Sequence, residues 1–163
     1  MKFFTMDWWL GTQPDADPPY KGVDPFQAYG AYLTSIQEKI PDSIRKFHGK
    51  VPLHDAKLYV ASYSQESATL TLILGNFNPE RMKYQRLFLQ YSGVISFESN
   101  VRPSVGFSDI GYGDLGYDEI DMTSDGYFEH RILFSTGVEF DILRRDAFAW
   151  WDIEKTDITD IGG

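Results

Sequence analysis

The chain has 163 residues and a formal net charge of −9, which fits one acidic domain large enough to bury a full hydrophobic core. A negative surface repels phosphate backbones and anionic lipid, so no nucleic acid and no membrane is expected as a partner, and charge favours a basic protein instead. The absence of cysteine removes disulfides, thiolate nucleophiles and cysteine-based metal centres together.

Met1 to Leu10 alternates too poorly for a regular strand and reads as a short strand or an aromatic plug. It carries Asp7 and has no long apolar run, so neither a signal peptide nor a membrane span is expected, and a cytoplasmic location is the default. Gly11 to Gly22, with Pro14, Pro18 and Pro19, reads as a surface loop. Asp24-Pro25 then opens a helix, the aspartate as N-cap and the proline in the first turn, where its missing N–H costs nothing. Phe26, Tyr29, Leu33, Ile36 and Ile40 recur at steps of three and four, which predicts a helix over Pro25 to Ile40 with one apolar face. Gly30 costs about 1 kcal/mol there relative to alanine, so close packing against it is expected. Pro41 breaks the helix, and a further turn runs from Asp42 to His48 and stops at Gly49.

From Leu53 the period changes to two. Leu58 and Val60 form one strand, and Ser64 to Ser67 turns the chain. Leu70, Leu72 and Leu74 mark a second strand by strict alternation. Tyr84 to Phe97 reads as one long strand with Gly93 as a bulge. Tyr127 to Phe134 and Val138 to Leu143 flank Ser135-Thr136-Gly137 as a hairpin, the last pair of strands expected. Between them lies a Gly/Asp-rich stretch around residues 100–126, read as a mobile loop with one embedded strand over Leu115 to Met122. The fold class is α+β: an N-terminal helix packed on a mainly antiparallel, meander-like sheet, in a single domain spanning residues 1–163.

Three segments carry a family likeness: Met1-Lys2-Phe3-Phe4-Thr5 with Trp8-Trp9, the run Leu53-His54-Asp55-Ala56-Lys57-Leu58, and Phe128 through Gly137 to Glu139. In these the chain resembles a family of uncharacterised bacterial proteins classified only as a domain of unknown function. The resemblance implies a bacterial source and brings no catalytic residue with it.

Chemistry-bearing residues are few. His54-Asp55 and Glu129-His130 are the places where an imidazole adjoins a carboxylate. On a strand such neighbours point to opposite faces, so a catalytic pair must be assembled between strands, for instance His54 with Glu129. His130 falls in register with Phe128, Ile132 and Phe134 and reads as a packed, hydrogen-bonded core histidine. No metal site is expected: the three histidines lack ligand spacing, and the acids from Asp109 to Asp125 do not follow the EF-hand pattern. Gly111-x-Gly113-x-x-Gly116 is rejected as a dinucleotide loop because acids surround it, so no cofactor is expected. In each of Trp8-Trp9 and Trp150-Trp151 one ring is assigned to the core and one to the boundary, and Arg144-Arg145 to the surface.

Two readings follow. The first is a non-enzymatic protein-binding module, for instance an immunity-type neutraliser of a basic toxin, binding through Tyr112, Asp114, Tyr117, Asp118 and Asp121. The alternative is a small hydrolase using His54, Glu129 and His130.

Overall fold

A computed structural model describes residues 1–78, 83–100 and 111–154. Among the described residues three helices precede eight strands: α1 (Met6–Gly11), α2 (Pro25–Ile36), α3 (Asp42–Lys50), β1 (Lys57–Ser64), β2 (Thr69–Asn78), β3 (Lys83–Tyr91), β4 (Val94–Ser99), β5 (Leu115–Met122), β6 (Phe128–Phe134), β7 (Glu139–Arg144) and β8 (Phe148–Glu154). The α+β class holds, but the strands form two four-stranded antiparallel sheets, ordered β1-β2-β3-β8 and β4-β7-β6-β5, instead of one meander.

The sheets are stitched together along both margins. Long strands pass from one sheet to the other at bends, as in orthogonal packings. One bend is Ser92-Gly93 between β3 and β4, and the other is Arg145 to Ala147 between β7 and β8. The Ser92 N–H donates to the Ala147 carbonyl at 2.9 Å, and the Arg145 N–H donates to the Gly93 carbonyl at 3.0 Å. The predicted strand from Tyr84 to Phe97 is therefore two strands meeting at a corner. Gly93 makes that corner with φ of +64°, and Asp146 occupies the space a side chain would need. At the other margin the Leu115 N–H reaches the Ala56 carbonyl and the Asp55 N–H reaches the Leu115 carbonyl, each at 2.8 Å.

The space between the sheets is filled by one large apolar cluster. Leu70, Leu72 and Leu74 of β2 and Leu87 and Leu89 of β3 face Leu115, Ile132, Phe134 and Ile142 of the second sheet, all fully enclosed. Helix α3 plugs one end, its Phe47 ring 5.0 Å from Phe148 and 6.3 Å from His130. Helix α2 starts as expected, with Asp24 accepting the Phe26 N–H at 2.9 Å. It ends at Ile36, four residues early, although Ile40 stays buried in the turn that follows.

Several expectations need correction. Met6–Gly11 is a helix, capped by the Thr5 hydroxyl, which accepts the Trp8 N–H. A six-residue helix has too few turns to display an apolar period. Gly30 has open space around it, not a close neighbour. A bulge at Tyr59 separates Leu58 from Val60, so the two do not share a face and Val60 is exposed. Trp150-Trp151 belongs to an eighth strand, β8, with Trp151 stacked on Phe88 at 5.2 Å. Arg144 is buried, with its guanidinium 5.4 Å from the rings of Phe128 and Phe148 and bonded to the Asp146 carbonyl. Burial brings its pKa down to about 10, which leaves it cationic at neutral pH.

The Gly93 corner is testable. Gly93→Ala forces an L side chain into a positive-φ conformation, at a cost of about 1–2 kcal/mol, and against Asp146 besides. Urea denaturation should show a lower midpoint with an unchanged slope; a wild-type midpoint would mean that the corner does not require glycine.

Candidate functional site

The site is built on β5, an edge strand whose free N–H groups are covered by helix α2. The Ile120 N–H donates to the Tyr29 hydroxyl at 2.6 Å, and the Met122 N–H donates to Asp121 Oδ1 at 2.8 Å. The Tyr32 hydroxyl donates to that same Asp121 oxygen. Capping an edge in this way removes a template for unwanted pairing. Burial pushes the Tyr29 hydroxyl far above the usual tyrosine range, so it stays protonated and neutral.

The outer face of β5 carries Glu119 and Asp121. Glu119 has no exposed surface, yet its carboxylate accepts the backbone N–H groups of Lys2, Phe3 and Phe4 at 2.8, 2.6 and 2.6 Å. The Arg131 guanidinium approaches Glu119, Asp121, Glu129 and Asp141. The amino-terminal segment is thereby fastened across β5. It brings Phe4 and Trp8 into an aromatic cluster with Tyr29, Phe26 and Tyr117. Tyr117 is the centre of that cluster: Phe4 stacks on it at 5.0 Å, and Trp8, Trp9, Phe26 and His54 meet it edge-on. Gly116 beside it has no side chain, which lets the Trp9 ring lie against the strand.

Between this cluster, α2 and the α3–β1 connection opens a cleft of about 320 Å³. Phe4, Phe26, Tyr29 and Tyr117 wall it, His48 and His54 line it from the α3 side, and Asp118 contributes its carboxylate. Asp118 Oδ2 lies 3.1 Å from His130 Nε2, and His130 Nδ1 lies 2.7 Å from the Tyr91 hydroxyl. A carboxylate can only accept, so Nε2 carries the proton. In the neutral ring Nδ1 is then the acceptor of the Tyr91 O–H. Burial raises the Tyr91 hydroxyl pKa well above its ordinary value, which keeps that donor in place. Asp118 Oδ1 receives no hydrogen bond from the described residues, and the Asp118 side chain is 20 % exposed. His48 lies 3.4 Å from the Tyr29 hydroxyl.

The residues expected from sequence are thus divided. Tyr117 and Asp118 meet at the cleft. Asp121 is 6 % exposed and is engaged by Arg131, Lys2 and Tyr32. Tyr112 packs against Phe134 and Phe140. Asp114 lies at the surface, 3.8 Å from the Lys57 ammonium. Of the hydrolase set, His130 is the packed, hydrogen-bonded histidine expected, Glu129 lies on the opposite face of β6 bonded to Arg131, and His54 lines the cleft. The structure does not bring His54 to Glu129: His54 Nδ1 is 3.0 Å from Asp55. These neighbours pair because they occupy a turn, with Asp55 at φ of +64°, and not a strand. His48, Phe4 and Phe26 were not singled out as site residues. The loop expected over Val105 to Gly116 lies outside the described residues as far as residue 110. Among the described residues, no group of three or more acidic or histidine side chains could hold a metal ion, and no helix is long and apolar enough to cross a membrane.

Comparison with protein-family models finds no matching family, and comparison with curated proteins finds no match. The functional reading therefore rests on geometry.

Two expected outcomes test the scaffold. Glu119→Gln replaces an ionised acceptor by a neutral one and sets amide donors against backbone N–H groups. Charge-assisted hydrogen bonds contribute about 1.5–3 kcal/mol, so chemical denaturation should show a loss of at least that order, together with loss of Trp8 fluorescence anisotropy. For Asp121, burial opposes ionisation, but the hydrogen bonds from Tyr32, Met122 and Arg131 and the Arg131 charge outweigh it, so its pKa is lowered. A depressed carboxylate pKa stabilises the fold above the unfolded value, about 3.9. That stability is lost as pH falls through the folded value below it. Asp121→Asn should lower stability at pH 7 and flatten the stability–pH curve below about pH 4; an unchanged acid limb would remove Asp121 from this role.

Proposed function

We propose that the protein is a non-enzymatic binding module whose cleft receives a basic side chain of a protein partner. Asp118 supplies the counter-charge, and the aromatic rings around Tyr117 supply the walls. The observation that carries this reading is the pairing of a partly unengaged carboxylate, Asp118, with a cleft walled largely by rings. Cations are attracted both to carboxylates, through charge-assisted hydrogen bonds, and to aromatic rings. A volume of about 320 Å³ is at the low end for ligand pockets, suited to a single side chain and not to an extended substrate. The net charge of −9 adds long-range attraction for a basic partner. An immunity-type neutraliser of a basic toxin in the bacterial cytosol is a role of this class.

The test uses amide-blocked arginine and lysine as probes, titrated into the protein and followed by NMR. Resonances of Tyr117, Asp118 and His54 should shift selectively. Asp118→Asn should weaken binding about tenfold, the equivalent of one charge-assisted hydrogen bond. Binding should also weaken with salt, as the Debye length shrinks from about 10 Å at 0.1 M to about 3 Å at 1 M. Shifts spread evenly over the acidic surface, and unaltered in Asp118→Asn, would refute the cleft as the binding site.

A second reading is favoured by the chain Tyr91–His130–Asp118. A carboxylate backed by a hydrogen-bonded histidine can take up a proton, so a water molecule in the cleft could be activated for hydrolysis. Among the described residues, the hydroxyls lining the cleft are those of Tyr29 and Tyr117, so the nucleophile in this reading is water. Ester or phosphoester turnover abolished by both Asp118→Asn and His130→Gln would establish it over the binding module.

A further inference from the structure

The two sheets treat their edges differently. Strand β5 is covered by tyrosine hydroxyls and the amino-terminal segment. Among the described residues, β1 pairs along one side only, with β2, apart from the single bridge Lys57–Asp114 at its start. From Leu58 to Ser64 it contains no charged residue and no proline, and every residue from Tyr59 onward is exposed. Natural edges usually carry lysine, proline or a bulge that prevents further pairing. Here the bulge is confined to Tyr59, and Val60 to Ser64 runs in regular register against β2.

We propose that this edge is an interface with a second copy of the chain, formed by antiparallel pairing of β1 with β1 about a two-fold axis at Ser62. That register sets Ser62 opposite Ser62, Ala61 opposite Tyr63 and Val60 opposite Ser64. Each exposed Tyr63 ring then lies over the small Ala61 of the other copy. The fold already uses this large-over-small packing where the Tyr59 ring covers Gly75 and takes the Arg86 guanidinium at 3.9 Å. On the opposite face Val60 ends a row that crosses the whole sheet in register, Val60–Ile73–Phe88–Trp151. The dimer joins two such four-stranded sheets into one of eight strands.

The local neutrality of the edge suits a second copy of itself. Two copies of net charge −9 repel at long range, so contact costs least through a charge-free patch, and Leu58 to Ser64 is such a patch. Pairing it with itself sets no like charges opposite one another, whereas a basic partner strand finds no counter-charge there. The resulting dimer is weak and strengthens with salt, because screening removes the mutual repulsion. Binding of a cation to the cleft has the opposite salt dependence, so the two sites can be told apart.

Sedimentation of the full chain, from micromolar to millimolar, should show a monomer–dimer equilibrium that shifts toward dimer with added salt. Ser62→Lys places two ammonium groups across the axis and should raise the dimer dissociation constant about fivefold or more, with thermal stability unchanged. Because the chain has no cysteine, Ser62→Cys introduces a single thiol. Facing residues of an antiparallel pair have Cα atoms about 4.5–5.5 Å apart, within the disulfide range of about 4.4–6.8 Å. Ser62→Cys should therefore cross-link on mild oxidation much faster than Ser35→Cys, a thiol on the exposed side of α2. A Val60→Cys and Ser64→Cys mixture should cross-link faster than either variant alone. A monomer at every concentration and salt, or equal cross-linking of Ser62→Cys and Ser35→Cys, overturns the proposal. Dimers that Ser62→Lys leaves intact overturn it as well.

Discussion

A carboxylate without solvent is the interaction on which the rest of the site depends. Desolvating an ionised group costs several kcal/mol even after relaxation, and Glu119 is fully enclosed. It is tolerable only because three consecutive backbone N–H groups and Arg131 surround it. The backbone donors belong to a segment more than a hundred residues away in sequence, so satisfying Glu119 fixes the path of Lys2 to Phe4. That path sets Phe4 against Tyr117 and starts α1 so that Trp8 closes the cluster. One wall of the cleft is in this sense a consequence of a buried charge.

The same interaction accounts for the unequal edges. β5 carries ionisable side chains on its outer face and opens toward solvent unless something covers it, and the helices and amino-terminal segment do so with tyrosine hydroxyls and backbone amides. From Leu58 onward β1 carries neutral side chains that need no partner to offset a desolvation cost. Its exposure is therefore compatible with a stable monomer and leaves the ladder groups free for intermolecular pairing.

Local signals were legible wherever one residue type decides a conformation. Asp24-Pro25 announced α2, the leucines at 70, 72 and 74 announced β2, and Ser135-Thr136-Gly137 announced the β6–β7 turn, where Gly137 adopts φ of +80°. His130 was legible as a core residue from its register. The corner at Gly93 was read as a bulge because local sequence does not distinguish a strand that bends from one that changes sheet. The burial of Arg144 was hidden for a related reason: its acceptor is the carbonyl of Asp146, on the far side of a bend. The site itself was half legible. Tyr117 and Asp118 were named from an acid- and tyrosine-rich stretch, but Asp121, from the same stretch, is consumed by Arg131. Alternation on β5 separates Asp118 from Asp121, since Asp118 shares a face with Ile132, whereas Tyr117, Glu119 and Asp121 lie on the other.

That separation also decides how an acidic chain can recognise anything specific. A diffuse negative field attracts every cation and distinguishes none, so close recognition needs one carboxylate held in one place. Asp118 is held by His130, which is itself held by a tyrosine that burial keeps protonated. Tyr117 is fixed by ring contacts on several sides, and its own hydroxyl pKa is raised by burial, then by the nearby Asp55 charge, so it presents a neutral ring. A ligand group entering the cleft therefore meets groups that are already ordered and loses little further side-chain entropy on their account. In the proposed reading the remaining acids contribute through distance, drawing a basic partner inward, and the cleft selects the side chain that fits.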